Sequence, residues 1–171
     1  MIRGYKDKFP SIEAGVYVDE SAQIIGDVVI GANSSVWFNS VVRGDVYYIR
    51  IGECSNIQDL CCVHVTRDRN PTIIGDYVTV GHGAILHGCS IESHCLIGMG
   101  AIVMDRAKVG QGTIVGAGSL VAQGLQVPPR SLVMGSPARI IRELSAEEIT
   151  SIDQYAKNYL MYKENYLKVQ A

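Results

Sequence analysis

The sequence predicts an all-β solenoid, a left-handed parallel β-helix built from six-residue repeats, followed by one C-terminal α-helix. Three observations carry that prediction. Aliphatic residues recur every six positions as Ile30, Val36 and Val42, as Ile51, Ile57 and Val63, as Ile74, Val80 and Leu86, and then without interruption as Ile91, Ile97, Val103, Val109, Val115, Val121, Val127 and Val133. Glycine often follows them, as in Ile30-Gly31, Ile51-Gly52, Ile74-Gly75, Val80-Gly81, Ile97-Gly98, Val109-Gly110 and Val115-Gly116. Near residue 140 this rhythm gives way to helical spacing.

A period of six fits neither the roughly 3.6-residue turn of a helix nor the alternation of a simple strand. Each hexapeptide instead supplies a short strand and a corner, and three of them close one triangular coil. Successive coils then hydrogen-bond about 4.8 Å apart, as neighbouring strands of a parallel sheet do. The left hand is the one this repeat is known for. Residues 1–140 form the β-helix in this reading. Pro128-Pro129 and Gly135-Ser136-Pro137 mark the exit from its last coil. Beyond it, Ser145 and Glu148 make a capping box, and Ile149, Ile152, Ala156, Tyr159 and Leu160 fall at helical spacing. A helix over residues 145–168 should pack along the prism and cover an apolar flank.

Composition narrows the function classes. With 171 residues, 47% of them hydrophobic, the chain can bury a real core. Fifteen basic and seventeen acidic residues give a net charge of -2. No basic stripe favours nucleic acid and no polybasic arm favours a membrane surface. The N-terminus MIRGYKDKFP has no apolar signal core, and no apolar run approaches the roughly 20 residues that span a bilayer, so a cytoplasmic protein is expected. Cys54, Cys61, Cys62, Cys89 and Cys95 form no C-x-x-C pair and read as free thiols packed inside.

Breaks in the repeat point to function. Val42 to Ile51 is three residues too long, Val63 to Ile74 is five too long, and Leu86 to Ile91 is one short. Loops are therefore expected over 43–48 and 66–71. Counted in hexapeptides, Val63 and Leu86 are one full coil apart, so His64 and His87 occupy equivalent positions on one face. Their imidazoles can then converge on one ion, with Zn–N bonds of roughly 2.0 to 2.1 Å. His82 belongs to the previous face and within one chain should point around the corner; it could complete the site if three prisms pack side by side. Arg43 lies one coil below His64, and Asp45, Asn56, Gln58 and Asp59 gather along the same edge. His94 stands off this column and reads as an ordinary surface histidine.

The set RGD (43–45), NIQD (56–59), VHV (63–65), GHGAILHGC (81–89), IGMGA (97–101) and GSPAR (135–139) resembles the bacterial branch of the gamma-class carbonic anhydrase family. The resemblance covers nearly the whole chain. It implies a homotrimer in which zinc, with iron or cobalt as alternatives, is held by His64 and His87 of one chain and His82 of its neighbour. It further implies that Gln58 orients a metal-bound hydroxide with help from Asn56, and that Arg43 pairs with Asp45 and Asp59, partly across the interface. Tyr159, or else Tyr162, resembles a helix tyrosine that reaches the active site.

The implied reaction is reversible hydration of carbon dioxide to bicarbonate. A bound cation lowers the pKa of water from 15.7 to about 7, which makes hydroxide available at neutral pH. The glutamates proposed as proton carriers in the archaeal prototype are missing: Val46 follows Asp45, and the stretch after His64 reads VTRDRNPT. Asp45, Tyr159 or buffer would have to substitute. Two other classes remain open, a hexapeptide acyltransferase or acyl-CoA thioesterase using an interfacial histidine as base, and a catalytically silent assembly protein.

Overall fold

The computed structural model describes residues 1–170 and is a parallel β-solenoid closed by helix α1 (Ala146–Gln170). It matches the left-handed β-helix of hexapeptide repeats. One face stacks seven parallel strands, from Tyr17–Val18 through Asn56–Ile57, Thr79–Val80 and Leu96–Ile97 to Ser131–Gly135. The other two faces are joined in one sheet because Gln23–Ile30 and Val41–Ile51 run continuously around a corner. Val41–Ile51 pairs at one end with Cys62–His64 and at the other with Thr72–Ile74.

Every repeat-start aliphatic from Ile30 to Val133 points into the prism, none of them more than 4% exposed. Stacked in register, these side chains form the core as a continuous column. Corners follow an equally strict rule. The residue three places after a repeat start has a left-handed φ, as at Asn33 (59°), Asn39 (57°), Tyr77 (53°), His94 (56°) and Gly118 (66°). Such a φ costs a residue with a β-carbon about 1 to 2 kcal/mol, and glycine and asparagine tolerate it best. Between Ile30 and Val127 only the corners after Val42, Val63 and Leu86 break this rule. Those are the three irregular repeats, and they lie above one another: Val42 pairs with Val63, and Val63 with Leu86.

The expected insertion over 43–48 is present as a bulge inside the strand Val41–Ile51: Gly44 still pairs with Gly26 and Ile49 with Val28, so residues 45–48 stand opposite the single residue Asp27. Two sequence expectations need correction. Pro128-Pro129 is not an exit, because Ser131–Gly135 still pairs in parallel with Ile114–Val115. The chain leaves only after Gly135, folding back as the antiparallel strand Ala138–Glu143. Cys62 is exposed, whereas Cys54, Cys61, Cys89 and Cys95 are buried thiols. It is the first residue of the strand Cys62–His64, one place before the inward Val63, so it faces out.

Helix α1 begins at the capping box. Ser145 Oγ accepts from the Glu148 amide at 3.3 Å, and Glu148 Oε2 accepts from the Ser145 amide at 2.8 Å. Its buried stripe includes Ile152, Ala156 and Lys163, packed on the face that holds Tyr17–Val18, Ser35–Val36 and Thr79–Val80. Trp37 meets Tyr159 edge-on at 5.3 Å between ring centroids and Tyr166 at 5.2 Å, which fixes the C-terminal half of the helix beside the corner at residues 58–60. No helix among the described residues is long and apolar enough to cross a membrane.

Candidate metal centre

His64 and His87 are direct cross-coil partners in adjacent parallel strands. Their rings face each other, with His64 Nδ1 3.3 Å from His87 Nε2. The outer nitrogen of each ring is tied to a carboxylate. His64 Nε2 lies 3.0 Å from Asp45 Oδ1, and His87 Nδ1 lies 3.1 Å from Asp105 Oδ2. When the outer nitrogens donate to these carboxylates, the inner nitrogens of neutral rings present two lone pairs to each other. In that tautomer state the two nitrogens could hold a cation between them. Two nitrogens bound tetrahedrally to one ion at about 2.0 to 2.1 Å stand about 3.3 Å apart, the separation found here.

Electrostatics keep His64 in the ligand form. Burial, chiefly, and the neighbouring Arg43 hold His64 below the ordinary imidazole value, against the opposing pull of Asp45. Burial alone would raise Asp45, yet hydrogen bonds from His64 and Arg43 outweigh it and hold the carboxyl low. Asp105 follows the same pattern, with burial outweighed by donors from Thr66, Asn70 and His87. Arg43 binds Asp45 at 2.5 Å within the chain.

His82 sits at the next corner, 45% exposed, with its Nδ1 2.5 Å from Asp59 Oδ2. Asp59 therefore faces His82 in the single chain, and not Arg43. The Gly81-His82-Gly83 corner turns the imidazole away from the prism, so the third histidine stands apart from the other two. Among the described residues of one chain, no three His, Cys, Asp or Glu side chains converge as a metal-holding group. All three histidines nevertheless share one arrangement, a ring nitrogen fixed by a carboxylate and the other left for a ligand bond, which is the usual outer support of metal-bound imidazoles.

Gln58 links His82 to the prism. Its Oε1 accepts from the His82 amide at 3.2 Å, its Nε2 donates to Asn56 Oδ1 at 3.1 Å, and Asn56 Nδ2 donates to Thr79 Oγ1 at 2.9 Å. Gln58 and His82 open into a cleft of about 480 Å³ between the corners and helix α1, walled by Met99, Tyr155, Tyr159 and Tyr162. Burial first, then the charge of Asp59, pushes the Tyr159 phenol up to about 12, so it stays protonated at neutral pH. His94 is no free surface residue: its Nδ1 is 2.7 Å from Asp153 of helix α1, and it stacks on Tyr77.

Sequence reasoning missed Asp105. Leu86 pairs with Val103, so one more coil of the same count would have placed Asp105 above the His87 corner. A β-carbon at Gly88 would collide with its carboxylate, which accounts for glycine there.

Comparison with known proteins agrees with this architecture. The pattern of the bacterial transferase hexapeptide family, six repeats, matches residues 9–44 and 88–123, which places the chain among hexapeptide-repeat β-helix proteins. It is 56% identical over 153 residues to a probable carbonic anhydrase of Methanocaldococcus jannaschii, covering 90% of this chain and 96% of the relative. It is 45% identical over 170 residues to a carbonic anhydrase of Geobacillus kaustophilus, covering 99% and 93%. Among solved structures, a putative acetyltransferase of Bacillus cereus superposes with a TM-score of 0.96 at 43% identity, over 98% of this chain and 97% of that one. The chain belongs to the gamma carbonic anhydrase family.

Proposed function

We propose that this protein is a metal-dependent carbonic anhydrase of the cytoplasm, hydrating carbon dioxide reversibly to bicarbonate at sites shared between the subunits of a homotrimer. The observation that carries the reading is the His64–His87 pair, two nitrogens 3.3 Å apart whose outer positions are both held by carboxylates. Its third ligand is His82 of a second copy, because the corner carrying His82 turns outward and Asp59 fixes its ring ready for a bond away from the chain. Zinc, with iron or cobalt as alternatives, fits the donor set, since imidazole suits all three and geometry does not separate them. When bound, the ion supplies the Lewis acidity that brings the pKa of water from 15.7 to about 7.

This chain's own residues do the remaining work. Gln58 keeps one amide hydrogen and one lone pair beyond its bonds to Asn56 and the His82 backbone, and directs them into the cleft, where they orient the nucleophile and the incoming carbon dioxide. Asn56, locked by Thr79, sets the direction of that amide. Tyr159, protonated at neutral pH, closes the cleft as a hydrogen-bond donor with Tyr162 beside it. Asp45 and Arg43 hold His64 on its axis.

Stopped-flow carbon dioxide hydration on anaerobically purified, metal-analysed protein tests this. Activity should track about one metal per subunit and vanish in His82→Ala with the β-helix intact. A loaded, inactive trimer would remove the enzyme reading and direct the search to acyl-CoA substrates or a role in assembly.

A further inference from the structure

We propose that Asp105, gripped by Thr66 and Asn70 of the 66–71 insertion, is the positioning residue that fixes His87 in the Nδ1–H tautomer and so aims its Nε2 lone pair at His64. The inference rests on the metal reading for its purpose but not for its geometry. The two oxygens of Asp105 have separate tasks. Oδ2 faces His87 Nδ1 at 3.1 Å, while Oδ1 accepts from Thr66 Oγ1 and, at 3.1 Å, from Asn70 Nδ2. A carboxylate held at one oxygen by two donors has little freedom at the other.

The donors are themselves fixed. Thr66 and Asn70 close the insertion on itself by reciprocal backbone bonds of 3.0 and 3.3 Å. At the root of the insertion, Thr72 Oγ1 donates to the His64 carbonyl at 2.5 Å and accepts from the Gly88 amide at 2.9 Å. The same short segment therefore ties the backbone of His64 to that of Gly88, beside His87, and steers the His87 ring through Asp105. Gly88 leaves the space in which this carboxylate sits. Five residues added to a strict repeat thus gain a physical purpose: they are the clip that orders one ligand against the other. A purely structural reading, in which Asp105 only caps the insertion, predicts no effect on the tautomer of His87.

The test uses full-length metal-free protein labelled with ¹⁵N at its four histidines, read by long-range ¹H–¹⁵N NMR, with His87→Asn to assign the signal. Wild type should show His87 protonated at Nδ1 and bare at Nε2. Asp105→Ala should lose that preference, and Thr66→Val should weaken it while leaving the melting temperature nearly unchanged. Asp105→Asn should reverse it, because the amide oxygen takes the place gripped by Thr66 and Asn70 and leaves the NH2 facing His87 Nδ1. Cobalt(II) affinity, measured by chelator competition on the same proteins, should fall about 10- to 100-fold in both Asp105→Ala and Asp105→Asn. An unchanged His87 tautomer in folded Asp105→Ala or Thr66→Val protein overturns the proposal. If wild type shows the tautomer yet retains no cobalt, the positioning role stands and the metal reading fails.

Discussion

At the scale of single residues, the coil tolerates change according to where a side chain would go. A β-carbon on Gly98 would lie 2.5 Å from the Ala117 backbone in the next coil, and neither backbone can retreat without breaking the ladder. At Gly100 the same carbon meets open space, and the only penalty is its φ of +65°. Gly98→Ala should therefore cost about 3 kcal/mol or more, and Gly100→Ala about 1 to 2, read as midpoints of denaturant unfolding. Equal losses would mean that backbone approach between coils is not limiting. The catalytic edge invites a second test. Tyr159 is held near 12, and neither the position after Asp45 nor the stretch after His64 carries a glutamate that could relay a proton. Hydration turnover should rise steeply with imidazole buffer concentration, and a buffer-independent rate would mean the chain carries its own shuttle. The His64–His87 pair was legible in the sequence because an exact period converts residue counts into spatial neighbours. The partner of Asp59 was not, because a corner sets side-chain direction by local dihedrals that counting does not reveal.

Elements of the chain were legible where period decides and illegible where hydrogen bonding does. The insertion after Val42 was legible by count, but not that ladder pairing would resume at Ile49 at once, so that the excess stays as a bulge of residues 45–48 opposite Asp27 inside one strand. Helix α1 was read correctly from its capping box, and that box carries a pH prediction. Hydrogen bonds from Arg142 first, then from the Ser145 amide, pull the Glu148 carboxyl down to about 2 from its ordinary 4.5. A depressed carboxyl contributes stability that is complete above its unfolded value and lost as pH falls through its folded one. Protection factors of the amides in the first turn of α1, exchange rates corrected for their intrinsic pH dependence, should thus be level above about pH 5 and fall between about 4.5 and 2. In Glu148→Gln the same amides should exchange faster at neutral pH and lose that acid dependence. Ser145→Ala, which removes the other half of the box, should destabilise the helix by about 1 kcal/mol.

For the whole molecule, the three faces of the prism differ in what they present outward. The face of Ser35–Val36 and Thr79–Val80 is packed under helix α1. The face of Ser90–Ile91, Lys108–Val109 and Gln126–Val127 turns Ser90, Lys108 and Gln126 toward water. The third presents Val41, Cys62, Ile85, Ile102 and Leu120 in cross-coil register; the strand Ala138–Glu143 approaches its Leu120 end, while Cys62 and Ile85 are exposed. That apolar stripe adjoins His64 and His87, so whatever covers it also stands beside the two histidines. In the proposed trimer a second prism covers the stripe and brings the third imidazole, and threefold closure leaves no stripe exposed. Placing a charge in the stripe should undo the assembly, because an unpaired carboxylate buried between apolar faces costs several kcal/mol. Ile85→Glu should sediment as a monomer where wild type sediments as a trimer. It should keep the β-helix spectrum and lose carbon dioxide hydration together with tight metal binding. Gln126→Glu, on the polar face, should change none of these. A trimeric Ile85→Glu protein would place the subunit contact on another face and leave His82 without a route to the pair it is proposed to complete.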